Sequence, residues 1–247
     1  MLELFNMCNI KSICLKLNYR WVYSRRFKGG NKLEELYNKI LKALQKEDKD
    51  LALTLSIDAL DKGIVTIVEL YEMILGPGLN SIIDEYEEDE ELIWREHVRS
   101  GIIRSIIEAA YPYVLKESKK LDTSKGRVIV MCPDYEDHEL GAKMVADFFT
   151  LEGYDSTFIG AKTPQKTILK AIDIVKPKYL CISVTNHYNL ISVKRTIDMI
   201  KENIDENPLF LLGGSAFNSN PDAYKAVGGD LLLNNYNDIK NLHKEVE

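Results

Sequence analysis

The chain has 247 residues, 45% of them hydrophobic and 28% charged, with a formal net charge of −6. This is the composition of an ordinary globular protein with room for two modest domains. The acidic balance counts against a general nucleic-acid binder, and no apolar run reaches the roughly 20 residues that cross a bilayer.

The opening stretch, MLELFNMCNIKSICLKL, is interrupted by Glu3, Lys11 and Lys16 and lacks a small-residue cleavage site, so it does not read as a signal peptide. Cys8, Cys14, Cys132 and Cys181 form no close pair of metal-ligand spacing. Cys132 and Cys181 fall in strand-like apolar runs, where reduced thiols pack as small hydrophobes. A cytoplasmic location is therefore expected. Residues 1–30 hold Lys11, Lys16, Arg20, Arg25, Arg26 and Lys28 against the single acid Glu3. Such a basic arm, with Tyr19, Trp21 and Tyr23, suits an acidic partner or nucleic acid, but a disordered tail is the plainer expectation.

From Lys32 the apolar spacing becomes helical. Leu33, Leu36, Ile40, Leu41 and Leu44 share one face, and Asp48 is placed to cap a second helix through Leu60. A third helix is expected from Thr66 to Gly76-Pro77-Gly78. A fourth follows, with Pro112 ending or kinking it. Residues 31–116 thus predict a small four-helix cap. The polar, turn-rich 117–126 reads as a linker.

Beyond it, β-rich runs at 127–133, 156–160, 179–185, 208–214 and 230–234 alternate with helical patterns at 139–152, 164–175, 190–202, 219–226 and 236–245. Continuous apolar strands separated by helices predict an α/β domain over 127–247: a doubly wound, parallel, five-stranded, flavodoxin-like sheet. Ligands of such sheets bind beyond the carboxyl ends of the strands.

The candidate chemistry lies at that edge. The loop after the first strand contains Glu136, Asp137, His138 and Gly141; Ser183, Val184 and Thr185 end the third strand, and Gly213-Gly214 end the fourth. Alone, each has an ordinary reading: a surface histidine or general base, plain strand ends, a tight turn. Together they resemble the cobalamin-binding domain family, whose pattern is Asp-x-His-x-x-Gly, then Ser-x-Leu or Ser-x-Thr, then Gly-Gly. The resemblance covers roughly residues 127–245. It implies that His138 is the lower axial ligand of cobalt and that the cofactor's nucleotide tail enters a slot beside the sheet. Glu136 stands where the family has aspartate, one methylene longer, and is expected to orient the imidazole. Asp137 is adjacent but points differently. Gly141 would open the slot floor, Ser183 and Thr185 would hydrogen-bond near the buried base, and Gly213-Gly214 would border the tail.

The helical cap is similar to that of cobalamin-dependent light-sensing regulators, relatives of the corrinoid proteins of methyltransferase systems. The light sensors carry a tryptophan, nine residues, then Glu-His in the cap, and tend to have Glu-x-His-x-x-Gly below. This chain has Glu96-His97, with Tyr86 at the tryptophan position. Ile93 and Trp94 lie four and three residues before His97 on neighbouring parts of one helical face, so Trp94 is a candidate to cover the upper ligand in place of the missing tryptophan. The resemblance implies His97 as a second, upper cobalt ligand. His187 and His243 read as a strand-end surface histidine and a solvated one.

Residues 1–30 are too short for a helix-turn-helix domain. The expectation is therefore a standalone sensor or signalling module, a photoreceptor with adenosylcobalamin as chromophore and not an enzyme on its own. The alternative is a corrinoid methyl carrier, bearing methylcobalamin and serving separate methyltransferases; cobalamin storage or delivery is a third reading. The expected partner is a regulator or a methyltransferase, with no membrane and no direct nucleic-acid contact; a homo-oligomer is open.

Overall fold

The computed structural model describes residues 32–86, 89–119 and 125–246. The basic arm over 1–30, with Cys8 and Cys14, and the middle of the expected linker lie outside the described residues. The chain divides into two compact units between Tyr113 and Val114. None of the described helices is long and apolar enough to cross a membrane.

The first unit is helical. Helix α1 (Lys32–Gln45) buries Leu36, Tyr37, Ile40, Ala43 and Leu44 as one stripe and packs against α2 (Lys49–Asp61). Asp48 caps α2, its carboxylate accepting from the Leu51 N–H at 3.0 Å. The third segment starts with a capping box between Thr66 and Glu69. It runs through α3 (Ile67–Glu69), a π-turn (Leu70–Leu75), α4 (Gly76–Asn80) and a 3₁₀ turn (Ser81–Asp84).

Gly76-Pro77-Gly78 therefore does not end the third helix as the sequence predicts. The π-turn widens the backbone so that the Gly76 N–H reaches the Tyr71 carbonyl. Pro77 then falls in the first turn of α4, where its missing N–H is tolerated. A Cβ on Gly78 would stand 3.2 Å from Leu44 Cδ1, so glycine lets α4 lie close to α1.

Helix α5 (Asp89–Glu117) continues five residues past Pro112, so the proline does not end it. Ile102, Ile103, Ile106, Ile107 and Ala110 are buried at helical spacing. The buried Arg99 pairs with Glu85 at 2.6 Å and donates to the Gly78 carbonyl at 3.2 Å. Arg95 pairs with Glu91 and Glu47. These cations fasten α5 to the segments before it.

The second unit is a five-stranded parallel sheet in the order β2-β1-β3-β4-β5: β1 (Arg127–Met131), β2 (Asp155–Gly160), β3 (Tyr179–Ser183), β4 (Leu209–Gly213) and β5 (Leu231–Leu233). This is the flavodoxin-like order, with its switch point between β1 and β3. Helices α6 (Leu140–Leu151), α7 (Gln165–Val175), α8 (Leu190–Asn203), α9 (Ala223–Ala226) and α10 (Tyr236–Val246) follow the strands in turn. Alternation along the strands fills both faces. Ile129, Met131, Leu180, Ile182, Phe210 and Leu212 meet Ile168, Ile172, Val193 and Ile197 of α7 and α8.

On the other face Phe149, Tyr154 and Tyr179 stack edge to face, and Phe148 meets Tyr236 of α10. Cys132 and Cys181 are buried free thiols, and burial pushes both up to about 12. Helix α9 is shorter than the expected 219–226. His243 is half-buried rather than solvated.

Candidate functional site

Parallel strands deliver their carboxyl ends, and hence the loops after β1, β3 and β4, to one edge. After β1 the chain runs Cys132–Glu139 before entering α6. Glu136 turns inward and is only 1% exposed. A buried carboxylate is expensive unless every lone pair finds a donor. Here Oε1 meets His138 Nδ1 at 2.5 Å and accepts the His138 N–H at 3.2 Å. Oε2 accepts the Thr185 and Asn186 N–H groups at 2.9 Å each and Asn189 Nδ2 at 3.1 Å. Burial pushes the Glu136 acid up, but His138, the Asn186 N–H and Asn189 outweigh it and bring it down to about 2.

Glu136 is thus an anion near neutral pH. It holds the proton of His138 on Nδ1, which makes Nε2 the lone-pair nitrogen of the neutral ring. The His138 side chain is 59% exposed. Asp137 faces outward and pairs with Lys162 at 2.9 Å, so it takes no part in orienting the imidazole. Gly141, in the first turn of α6, is exposed, and a Cβ there would meet nothing within 4 Å. Glu139 bridges to the second strand by accepting the Ala161 N–H at 3.0 Å. It does so beside a register shift between β1 and β2, the kind of bulge that re-aims residues next to a site.

The β3 end contributes differently from the expectation. It is the backbone N–H of Thr185, not a hydroxyl, that reaches Glu136. Neither the Ser183 nor the Thr185 hydroxyl takes a hydrogen bond within the described residues. The Val184 N–H donates to the Gly213 carbonyl at 2.9 Å, which fixes the two strand ends together.

The glycine pair also has a nearer cause than ligand approach. Gly214 has φ +104°, and a Cβ there would lie 2.2 Å from the Val184 carbonyl oxygen. A Cβ on Gly213 would stand 2.9 Å from the Leu233 carbonyl oxygen. The missing side chains are required by the protein's own backbone before any ligand arrives.

The remaining expected residues belong to the helical unit. Tyr86 and Ile93 are half-buried, Trp94 and His97 are exposed, and His97 Nε2 lies 3.8 Å from Glu96 Oε2. Glu96 also accepts from Ser100 Oγ at 2.5 Å. The Arg95 guanidinium sits over both the Trp94 and Tyr86 rings, 4.5 and 4.8 Å from their centroids.

Sequence reasoning missed Asn186 and Asn189. Asn186 caps the 3₁₀ turn His187–Asn189, accepting the Tyr188 N–H at 3.0 Å. The only signal was an asparagine pair just after a strand. His187 is exposed and stacked on Tyr188, with centroids 4.0 Å apart.

The loop after β1 thus places an imidazole held in one tautomer at the carboxyl edge of a doubly wound sheet. Residues 126–233 match the B12 binding domain, and residues 36–111 match a second family also described as a B12 binding domain. The chain is a cobalamin-binding protein made of these two parts. It is 23% identical to trimethylamine corrinoid protein 1 of Methanosarcina acetivorans, over 83% of this chain and 94% of that protein. It is 21% identical to monomethylamine corrinoid protein 2 of Methanosarcina mazei, over 73% of this chain and 84% of the relative. The methanol–corrinoid protein of Methanosarcina barkeri is 25% identical over 65% of this chain and 60% of its own length. Among solved structures, the Methanosarcina barkeri monomethylamine corrinoid protein has a TM-score of 0.71 at 18% identity, covering 87% of this chain and 99% of that one; it shares the fold.

Proposed function

We propose that this protein carries methyl groups on a bound corrinoid for a separate methyltransferase, with His138 as the lower axial ligand of cobalt. The observation that carries the reading is the Glu136-held imidazole at the sheet edge. It occurs in a chain similar over most of its length to corrinoid proteins named for methylamines. These relatives favour the methyl carrier over the light sensor.

The residues present fit a corrinoid. The macrocycle brings its own equatorial nitrogens, so the protein need supply only one axial donor, and a neutral imidazole nitrogen suits cobalt. A corrinoid held by His138 would supply cobalt-centred nucleophilic chemistry for methyl transfer. Glu136 keeps the ring of His138 in one tautomer and orientation. Gly141 leaves the slot floor open, and the hydroxyls of Ser183 and Thr185 are available to a buried nucleotide base. Val184 and Gly213-Gly214 would border the nucleotide tail.

The test is methyl loading. Holoprotein with its cobalt reduced is mixed with methyltransferases encoded beside its gene and with a methylamine or methanol. Near-stoichiometric methyl uptake is expected; no uptake with any of them overturns the carrier reading. The adenosylcobalamin-dependent, light-responsive reading rests on half-buried Glu96 and exposed His97, with Trp94, Ile93 and Tyr86 as neighbouring candidates. It requires that illumination give wild type a final spectrum that His97→Ala does not reach.

A further inference from the structure

The register of the sheet lays each face out in rows that run inward from the carboxyl edge. Leu180 and Ile182 of β3 face α7 and α8, so by alternation Tyr179, Cys181 and Ser183 face α6 and α10. Ser183 stands beside Gly213 at the edge. One row in, Cys181 stands between Val130 and Leu211, and a row further Tyr179 stands between Val128 and Leu209. At the rise of a parallel strand, Tyr179 is about 13 Å below Ser183. Cys132 marks where this column begins: its thiol donates to the His138 carbonyl oxygen at 3.8 Å. The column therefore starts beneath the loop that carries the imidazole.

Its far end is not ordinary apolar core. Tyr179 is fully buried, with Tyr154 edge-on to its ring at 5.9 Å and Lys178 Nζ 5.2 Å from the ring centroid. Among the described residues, its buried hydroxyl finds no hydrogen-bond partner. A buried hydroxyl left unpaired costs stability, and phenylalanine would fill the same space without that cost. The oxygen therefore serves something other than the packing around it. Between it and the edge stands Cys181, a small buried side chain that leaves the middle of the column narrow but not blocked.

We propose that the slot for the corrinoid's nucleotide runs down this column, with Cys181 setting its width and the Tyr179 hydroxyl its floor. Such a slot favours a corrinoid whose lower base carries hydrogen-bonding atoms on its outer edge. The inference rests on the reading that the tail enters beside the sheet while His138 takes cobalt. Dimethylbenzimidazole, the base of cobalamin, presents two methyl groups at that edge and would leave the hydroxyl unpaired. Adenine presents ring nitrogens and an amino group, which the hydroxyl can meet as donor or acceptor.

The experiment titrates full-length apoprotein with three corrinoids: cobalamin, its analogue with adenine as lower base, and cobinamide, which has no nucleotide. Affinities come from equilibrium dialysis, and each apoprotein is also melted. Wild type should bind both nucleotide-bearing corrinoids more tightly than cobinamide, and the adenine analogue at least as tightly as cobalamin. Tyr179→Phe should shift the ratio of those two affinities toward cobalamin by about tenfold, the effect of one buried hydrogen bond, and leave cobinamide unchanged. Cys181→Leu should weaken both nucleotide-bearing corrinoids and spare cobinamide, whereas Cys181→Ala, the milder variant, should weaken neither. If Tyr179→Phe keeps the wild-type ratio, or moves all three corrinoids together, the floor role is overturned. If Cys181→Leu lowers cobinamide as much as cobalamin, or only the melting temperature moves, the width role is overturned. If wild type binds cobinamide as tightly as the other two, no nucleotide slot lies beside the sheet and the inference falls. His138 can still stand in that case, since its bond to cobalt needs no nucleotide.

Discussion

Helix α6 is flanked by two buried glutamates whose comparison separates a site from a scaffold. Glu136, before the helix, and Glu152, just after it, are each about 1% exposed. In both, burial pushes the acid up and hydrogen bonds more than reverse it. Their partners differ in kind. Glu152 is bound by the Lys119 ammonium and the Tyr236 hydroxyl, with Lys125 donating to its carbonyl. Lys119 and Lys125 flank residues 120–124, so this carboxylate anchors the approach to β1.

Glu136 is held instead by neutral N–H donors and one imidazole. No lysine or arginine neutralises it among those donors, so its charge remains directed at His138. Ion-paired, a buried carboxylate is a staple; caged by amides, it can hold and polarise a ligand.

The largest expected effect is on His138 itself. His138→Ala should weaken cobalamin retention by at least about 100-fold, more than the usual loss of an outer-shell partner. Its ring is largely exposed, so the apoprotein should melt close to wild type. Equilibrium dialysis and a thermal melt test this together; unchanged affinity would remove His138 from the site. Glu136→Gln comes next. It should lower cobalamin affinity about 10- to 100-fold and destabilise the apoprotein by about 1–3 kcal/mol, because its amide nitrogen opposes donors.

Glu152→Ala should give a similar loss of stability, about 1–3 kcal/mol, by removing the carboxylate that Lys119 and the Tyr236 hydroxyl bind. Cobalamin affinity of the folded protein should not change. If Glu152→Ala weakened cobalamin binding as much as Glu136→Gln does, the division between site and scaffold would collapse.

The fold and the loop that carries Glu136 and His138 were legible because both are local. Strands buried on both faces read as runs such as Arg127–Met131, and Glu136-x-His138 puts carboxylate and imidazole within reach through one turn. What was illegible depends on chain segments distant in sequence. Apart from His138, the donors to Glu136 come from 49 to 53 residues away and are mostly backbone groups, which carry no signature of residue type. Gly213-Gly214 was visible, but its cause, the crossing of the Val184 and Leu233 carbonyls, was not. Gly76-Pro77-Gly78 looked like a stop because a π-turn leaves no mark in residue spacing. Pro112 likewise stands inside α5, just before the division between the units.

The smallest expected effect is a difference between two acid-unfolding curves. Both glutamates have folded-state acidities below the ordinary 4.5, Glu136 at about 2. A group depressed in the folded state contributes stability that is complete above its unfolded value and lost as pH falls through its folded value. Apoprotein stability should therefore decline from about pH 4.5 downward, with the Glu136 share still being lost near pH 2. Glu136→Gln should lower the plateau and flatten the curve at its acid end. Glu152→Gln should also lower the plateau, but leave the steep fall toward pH 2 in place. Denaturant melts at half-unit steps from pH 5 to pH 2 distinguish the two. If Glu136→Gln runs parallel to wild type down to pH 2, Glu136 is not the caged anion described, and its hold on His138 is that of a neutral acid.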